Sequence, residues 1–227
     1  EKNQGSAYDM NEVTYKALLF DFDGTLLDTN ELIIESYLHI LGDKFPGKYD
    51  RDSVIPFLGP SLQETCEAID PTQTDSLILS YREWNLEHHD QMVAPFDGVV
   101  ETLHKLKNDG YKLAIVSTKR REMIERGLQL MGCQSLFDTI VGLEDVSRTK
   151  PDPEPILLAL EHLNVSKEDA LMIGDNFHDI VGGQNAGVDT AGVAWSIKGE
   201  DFLSTYNPTY MLYHINDLLS IKKGQLL

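Results

Sequence analysis

The chain has 227 residues, of which 41% are hydrophobic and 25% are charged, and its formal net charge is −18. This length predicts one large α/β domain, or a core domain with a modest insertion. The excess of acids argues against a nucleic-acid partner, which needs a basic patch, and favours attraction of cations such as Mg²⁺. No apolar run approaches the ~20 residues of a membrane span, so no membrane partner is expected.

Cysteine usage and the N-terminus indicate a cytoplasmic protein. Cys66 and Cys133 lie far apart without metal-ligand spacing, so we expect both to pack as free apolar side chains in a reducing compartment. The N-terminus lacks the basic start and apolar middle of a signal peptide. Residues 1–12 are polar and aperiodic, and we expect a tail, native or added, with Met10 as a candidate native start. No obligate protein partner is inferred.

The first third of the chain predicts one strand followed by a helical insertion. The apolar residues 15–20 indicate a buried strand that ends in acidic residues. Residues 28–93 have helical periodicity, and Ser61 and Glu64 have the spacing of a capping box. His88 and His89 with Asp90 suggest a metal site but lack a further ligand nearby, so we interpret them as a solvated helix end. We expect residues 28–93 to form an inserted helical cap domain.

From residue 94 onward, strands alternate with helices. Strands are predicted near residues 112–117, 137–143, 170–175, 189–195 and 210–213, and Asp97 is placed to cap the first of the intervening helices. Such alternation predicts a parallel sheet covered on both faces. We therefore expect an α/β protein with a Rossmann-like core, residues 13–27 and 94–227, interrupted by the all-helical cap.

Polar residues end three of the predicted strands. Asp21 and Asp23 follow the first, Ser117 and Thr118 follow the second, and Asp175 follows the fourth. Ligands of open parallel sheets bind beyond the carboxyl ends of the strands. Two aspartates spaced i, i+2 leave a strand on the same face, so they can serve a cation and a reacting group together. We expect a site at this edge of the sheet.

Four motifs in order along the chain resemble those of the haloacid dehalogenase phosphatase superfamily. They are Asp-Phe-Asp-Gly-Thr at residues 21–25, the strand-ending Ser117, Lys150-Pro-Asp, and Gly-Asp-x-x-x-Asp at residues 174–179. The resemblance extends from about residue 15 to residue 215, and the helical insertion is similar to the C1-type cap of that superfamily. It implies a Rossmann-like parallel core and Mg²⁺-dependent phosphoryl transfer.

The resemblance also implies a role for each motif residue. Asp21 would be the nucleophile that forms an aspartyl-phosphate, and Asp23 would protonate the leaving oxygen and then accept a proton from water. Lys150 would offset the negative charge between Asp21 and the phosphate. Mg²⁺ would be held by Asp21, the Asp23 carbonyl and Asp175, with Asp179 binding through water or orienting Lys150.

The phosphoryl oxygens would be held by backbone amides around Phe22, Asp23 and Thr118 and by the Ser117 hydroxyl. Each motif residue also has an ordinary alternative. Ser117 could simply end a strand, Lys150 could be a solvated loop charge, and acids such as Asp175 are common near helix N-termini.

The substrate depends on the cap, where several residues are candidates for substrate binding. They are Asn30, Glu31 and Gly59 in the cap, and Lys119 on the rim of the core. The run from Lys119 to Arg121 could meet a second phosphate or form a solvated helix face. Asn30 and Glu31 could equally be the N-cap and first-turn acid of a helix.

The cap region is similar to that of the inorganic pyrophosphatases linked to HPr(Ser-P) dephosphorylation. Phosphoglycolate phosphatases share the Gly-Pro-x-Leu turn at residues 59–62. The resemblance implies hydrolysis of pyrophosphate, with phosphoglycolate or another small phosphate monoester as the alternative. A β-phosphoglucomutase-type mutase and a non-catalytic phosphate-binding regulator are further alternatives, although both Asp21 and Asp23 are present.

Overall fold

The computed structural model describes residues 14–224, so the predictions for residues 1–12 lie outside the described part of the chain. The first half contains β1 (Ala17–Phe20), β2 (Leu27–Asp28), α1 (Asn30–Lys44), α2 (Arg51–Val54), α3 (Leu62–Ile69), α4 (Thr74–Met92), β3 (Ala94–Pro95) and α5 (Val99–Asn108). The second half contains β4 (Lys112–Val116), α6 (Arg121–Met131), β5 (Thr139–Val141), α7 (Glu154–Leu163), β6 (Ala170–Gly174), α8 (Phe177–Ala186), β7 (Asp189–Val193), α9 (Glu200–Ser204) and β8 (Tyr210–Leu212). Within residues 14–224, no helix is both long and apolar enough to cross a membrane.

The central sheet has six strands in the order β5-β4-β1-β6-β7-β8, and every neighbouring pair is parallel. From β1 the chain moves outward through β4 to β5, then returns to the other side of β1 with β6. This reversal is a topological switch point, where open α/β sheets bind ligands. The predicted parallel Rossmann-like core is confirmed.

Strand β1 is buried on both faces, which fixes the position of the acids that follow it. Leu18 and Phe20 pack on one side with α5 and α6, and Ala17 and Leu19 pack on the other side with α7. The alternation follows from the two-residue period of a strand. Phe20 pairs in register with Ile115 of β4 and Ile173 of β6, so Asp21 emerges level with the ends of both neighbours.

Helices α1 to α4 form a second, separate apolar core. Its buried residues include Ile34, Tyr37, Ile40, Leu41, Val54, Leu58, Cys66, Leu77 and Ile78. The short strands β2 and β3 pair antiparallel at the two ends of this helical segment, with Leu27 opposite Pro95. The two segments that connect the core to the cap therefore lie side by side. We propose the limits of the cap domain at residues 28 and 93 on this basis.

Local signals for helix starts were reliable only in part. Ser61 and Glu64 form the predicted capping box at the start of α3. The prediction that Asp97 caps α5 is wrong, because the N-cap is Gly98 in the left-handed conformation (φ 74°) and Asp97 instead faces His214. Cys133 and Cys66 are both free and buried, as predicted.

The end of α4 also differs from its sequence interpretation as a solvated helix end. His89 is completely buried, and its Nδ1 lies 2.9 Å from Asp90 Oδ1. Asp90 in turn accepts two hydrogen bonds from the Arg126 guanidinium of α6. The interpretation fails for His89, because the end of α4 is joined to α6 of the core by the ion pair between Asp90 and Arg126, a contact that helical periodicity does not reveal.

Candidate active site

The carboxyl ends of β1, β4 and β6 bring three motifs together. Asp21, Ser117 and Asp175 are each the first residue beyond one of these strands. The Asp21 N–H donates to the Ile173 carbonyl (2.9 Å), which extends the sheet by one step. Ser117 is held in the same way through the Val141 carbonyl (3.0 Å). Strand register therefore sets the positions of these polar side chains.

Three carboxylates, those of Asp21, Asp175 and Asp179, form what we call the acidic cluster. Each offers an oxygen within 4.8 Å of the others. Thr25 Oγ1 donates to Asp175 Oδ1 (3.2 Å), and the Asn176 N–H donates to Asp179 Oδ2 (3.1 Å). Of the residues described, only these three form such a group of potential metal ligands.

Lys150 is the counter-ion of the acidic cluster. Its Nζ donates to Asp179 Oδ1 (2.6 Å) and to the Val116 carbonyl (2.7 Å), and it lies 3.4 Å from Asp21 Oδ1. Only 4% of Lys150 is exposed, so it is not the solvated loop charge of the ordinary alternative. A buried ammonium is stable here because carboxylate and carbonyl oxygens replace its water.

The acidic cluster carries more negative charge than Lys150 can balance. Burial and then the Asp179 carboxylate raise the pKa of Asp21 well above its usual range, although Lys150 opposes the shift. The same two causes raise the pKa of Asp175 to about 7. Burial disfavours charge on Lys150, yet Asp179 and Asp21 outweigh it and raise its pKa to about 12. Oxygen ligands with excess negative charge are the donor set of a hard divalent cation.

Asp23 lies beside the acidic cluster but has different partners. Its Oδ1 accepts hydrogen bonds from Lys119 Nζ (2.9 Å) and from Thr29 Oγ1 (2.9 Å). Its Oδ2 has no hydrogen-bond partner among residues 14–224, which leaves that oxygen available to a ligand. Thr29 carries no sequence signal for this contact, since it belongs to no motif.

The predicted phosphate-binding residues lie at the same edge. Ser117 is buried, and its Oγ accepts from the Lys119 N–H (3.1 Å). Thr118 Oγ1 donates to the Gly59 carbonyl of the cap (3.2 Å). The Phe22 side chain is completely buried, and its N–H donates to Asp21 Oδ1 (2.8 Å). The Phe22 amide is thus already bound to the proposed nucleophile.

A cavity of about 290 Å³, here called the substrate cavity, lies between cap and core over these residues. Its core side includes Asp21, Asp23, Ser117, Thr118, Lys119, Arg120 and Asp175, and its cap side includes Asn30, Leu32, Ile33, Tyr37, Leu58, Gly59, Leu62, Tyr81 and Arg82. Glu31 does not line it, because its carboxylate is paired with Arg51 on the exposed side of α1 (2.6 Å).

Residues 55–60, here called the docking turn, hold the cap on the core. Asn176 Nδ2 donates to the Leu58 carbonyl (2.9 Å), and Lys198 Nζ donates to the Ile55 carbonyl (2.7 Å). Gly59 has φ 116°, and a Cβ there would lie 1.9 Å from Asn176 Nδ2. Only glycine fits this approach, which explains the turn motif. Asn176 and Lys198 escaped sequence reasoning because their partners are distant backbone carbonyls.

Comparison with known proteins agrees with this geometry. The family model described as haloacid dehalogenase-like hydrolase matches residues 18–193, which contain all four motifs and the whole cap. The chain belongs to the haloacid dehalogenase-like hydrolase family. It is therefore a hydrolase, with the parallel core and inserted helices already described.

Relatives within this family are similar over nearly the whole chain. Pyrophosphatase PpaX of Bacillus cereus (strain G9842) is 51% identical over 204 residues, which cover 90% of this chain and 94% of that protein. Pyrophosphatase PpaX of Bacillus velezensis is 51% identical over 212 residues, which cover 93% and 98%. The crystal structure of a predicted phosphatase from Clostridium acetobutylicum has a TM-score of 0.81 at 27% identity, covering 91% of this chain and 97% of that one.

Proposed function

We propose that this protein is a Mg²⁺-dependent phosphohydrolase that cleaves inorganic pyrophosphate into two phosphates through an aspartyl-phosphate on Asp21. The observation that carries the proposal is the cavity between cap and core, which is lined by Asp21 and Asp23 together with the cationic side chains of Arg82, Lys119 and Arg120. The 51% identity to proteins named pyrophosphatase extends over that cap as well as over the core, and it supports pyrophosphate as the substrate.

In the first half-reaction, an Asp21 carboxylate oxygen attacks phosphorus and the bond to the leaving phosphate oxygen breaks. The Phe22 N–H and Lys150 orient the Asp21 carboxylate through its Oδ1. Lys150 also offsets the charge that develops between the carboxylate and the phosphoryl oxygens. The product of this step is an acyl phosphate, which water can hydrolyse more easily than it can hydrolyse the substrate.

Proton transfer is assigned to Asp23 Oδ2. Lys119 and Thr29 both hold Oδ1, so the carboxyl group is oriented while its second oxygen remains available. In the first half-reaction Asp23 would give its proton to the leaving phosphate. In the second it would take a proton from the water that attacks the aspartyl-phosphate, which returns Asp21 and Asp23 to their starting states.

Mg²⁺ fits the acidic cluster, since three carboxylates face one ammonium there. Asp21 and Asp175 would hold the ion directly, and Asp179 would bind through water while it keeps Lys150 in position. When bound, the ion neutralises phosphoryl charge and brings the two anions together.

A phosphate monoester with a small carbon skeleton is the second candidate substrate. The observation that favours it is the apolar cap wall, where Leu32, Ile33, Tyr37, Leu62 and Tyr81 line the substrate cavity. The aliphatic side chains among them offer no hydrogen bonds to a second phosphate, whereas all five can contact an organic leaving group.

A substrate panel tests the proposal. Phosphate release with Mg²⁺ would be measured for pyrophosphate, phosphoglycolate, a hexose phosphate and p-nitrophenyl phosphate, with Asp21→Asn as the control for contaminating activity. We expect kcat/KM for pyrophosphate to exceed the others by about tenfold or more, because the relatives share the cap. A higher value for phosphoglycolate would reject pyrophosphate as the substrate. Absence of Mg²⁺-dependent turnover on the whole panel would reject the phosphohydrolase.

We also propose that the protein works in the cytoplasm. Support comes from Cys66 and Cys133, which are both free and buried. Burial raises the pKa of both thiols to about 11, so neither is a reactive thiolate at neutral pH.

A further inference from the structure

The six arginines of this chain fall into two groups. Arg51, Arg121, Arg126 and Arg148 are each paired with a carboxylate at the protein surface. The side chains of Arg82 and Arg120 form neither an ion pair nor a hydrogen bond within residues 14–224, and both residues line the substrate cavity. The chain has 37 acids against 19 bases, so two arginines without a carboxylate partner in the same cavity need an explanation.

The two guanidinium groups come from opposite sides of the cavity. Arg82 lies within α4 of the cap, and Arg120 is the N-cap residue of α6 in the core. An anion bound between them would contact both domains at once. The N-terminus of α6 adds its positive dipole end on the Arg120 side.

The two arginines also affect each other electrically. Burial lowers the pKa of the Arg82 guanidinium, and the positive charge of Arg120 lowers it further. Two cations that repel each other at a cavity wall are stabilised when an anion binds there. This interaction supports the geometric argument and indicates that both groups act on the same volume.

The acids near the two arginines do not neutralise them. Glu83 and Glu122 line the cavity without an ion pair to either arginine within the described residues. Glu144 attracts Arg82, but its carboxylate is bound to the Arg121 N–H (3.1 Å). The remaining cation of the cavity wall, Lys119, is bound to Asp23 beside the reacting atoms. Lys119 therefore belongs to the transfer site, and the two arginines are left for a second anion.

We propose that Arg82 and Arg120 form a second anion subsite that binds the leaving phosphate of pyrophosphate, clamped between cap and core. This inference rests on the proposed function, because it assigns the part of the substrate that is not transferred to Asp21. Guanidinium groups present paired donors that match the oxygens of a phosphate, so each arginine can bind in a bidentate manner. The subsite explains how a cap with many apolar side chains can select a small, fully polar substrate.

The experiment compares Arg82→Gln, Arg82→Lys and Arg120→Gln with the parent protein. Arg51→Gln is the matched control, since Arg51 is a cap arginine paired outside the cavity. For the two glutamine variants we expect kcat/KM for pyrophosphate to fall roughly ten- to a hundredfold, the loss typical of a charge-assisted contact. For p-nitrophenyl phosphate, which has no second anion, the fall should be at most about threefold. Arg82→Lys should lie between Arg82→Gln and the parent.

A second readout uses inhibition of p-nitrophenyl phosphate hydrolysis and does not depend on pyrophosphate turnover. Methylenediphosphonate would occupy both sites, whereas inorganic phosphate would occupy the transfer site first. In the glutamine variants the inhibition constant for methylenediphosphonate should rise about ten- to a hundredfold, and that for phosphate by at most about threefold. Arg51→Gln should leave both constants at the parent values.

The outcomes separate this inference from the proposed function. If the protein hydrolyses pyrophosphate but inhibition by methylenediphosphonate is the same in the parent and the arginine variants, the anion subsite is wrong and the proposed function stands. If the protein does not hydrolyse pyrophosphate but the arginine variants weaken inhibition by methylenediphosphonate, the proposed function is wrong and the anion subsite stands. Equal losses on pyrophosphate and p-nitrophenyl phosphate would also overturn the inference, because they indicate a general structural effect.

Discussion

The acidic edge of the sheet and the cap wall of the substrate cavity hold their side chains in different ways. At the edge, Lys150 and Asp179 are almost completely buried, and hydrogen bonds to neighbouring strands and loops fix them. Each acid follows a strand or begins a helix whose register is set by the sheet. These side chains cannot move without breaking buried ion pairs, and breaking a buried ion pair strongly destabilises the folded state.

The cap wall consists of helix side chains that make few polar contacts with the core. Four hydrogen bonds join the core to the docking turn and to Glu64 at the start of α3. The cap supplies the acceptor of each bond, and the core donors are Thr118, Thr149, Asn176 and Lys198. The difference indicates that the chemical steps reside in the sheet, whereas substrate choice depends on how the cap is docked. Substitutions in the two regions should therefore have separable effects.

Replacing the nucleophile should have the largest effect and should not depend on the substrate. Asp21→Asn should lower kcat by about 10⁴-fold or more on every substrate, because an amide oxygen does not form the acyl phosphate. The melting temperature should stay at or above the parent value, since one charge leaves an over-charged cluster. A variant that keeps substantial turnover would contradict the covalent mechanism.

Removing a metal ligand should come next, and it should also change the pH dependence of stability. In the metal-free folded protein the pKa of Asp175 is about 7, against an ordinary value of 3.8. The folded state then keeps a proton that the unfolded chain releases, so stability should fall as pH rises from about 4 to about 7. Mg²⁺ should replace that proton, and its stabilising effect should be larger at about pH 7.5 than at about pH 5.

Thermal unfolding with and without Mg²⁺ at these two pH values measures this linkage. Asp175→Asn should flatten the pH dependence, remove most of the Mg²⁺ effect and lower activity about a hundredfold or more. Asp97→Asn is the matched control, because the Asp97 side chain is 99% exposed and lies against His214, which is not a member of the acidic cluster. A Mg²⁺ effect that survives in Asp175→Asn would place the ion elsewhere.

Disturbing the docking turn should lower kcat/KM by an intermediate amount and should leave Mg²⁺ binding at the acidic cluster unchanged. Gly59→Ala places a Cβ against Asn176 Nδ2 and should displace the turn, so kcat/KM should fall about ten- to a hundredfold. Stabilisation by Mg²⁺ should persist, since the acidic cluster is not touched. Gly47→Ala is the control, because Gly47 also has a positive φ (74°) but nothing within 4 Å of its added Cβ. Similar losses in both variants would show that backbone strain, not docking, is responsible.

The smallest effect should come from Glu31. Its carboxylate is bound to Arg51 at the exposed surface and does not line the cavity, so Glu31→Gln should change kcat/KM by at most about twofold. The neighbouring Asn30→Ala should have a larger effect, since Asn30 does line the cavity. Steady-state kinetics on pyrophosphate compares them, and the reverse order would mean that the first turn of α1 rotates when substrate binds.

The sequence was sufficient to predict the edge of the sheet. The strand before Asp21 and the strands before Ser117 and Asp175 are short apolar runs that end in polar residues, and parallel pairing forces such ends to one side. Lys150 and Asp179 followed from their motifs. The capping box of Ser61 and Glu64 was predictable too, because its two partners are three residues apart.

Only the tertiary structure decided which side chains face the substrate from the cap. Arg82 resembles any charged residue of a helix, and the pairs Lys119 with Asp23 and Arg51 with Glu31 join residues far apart in the chain. Local periodicity determines which residues share a face of a helix or strand. Which face meets which depends on long-range packing between two apolar cores, and that packing placed the two unpaired arginines above the acids that the strands had already brought together.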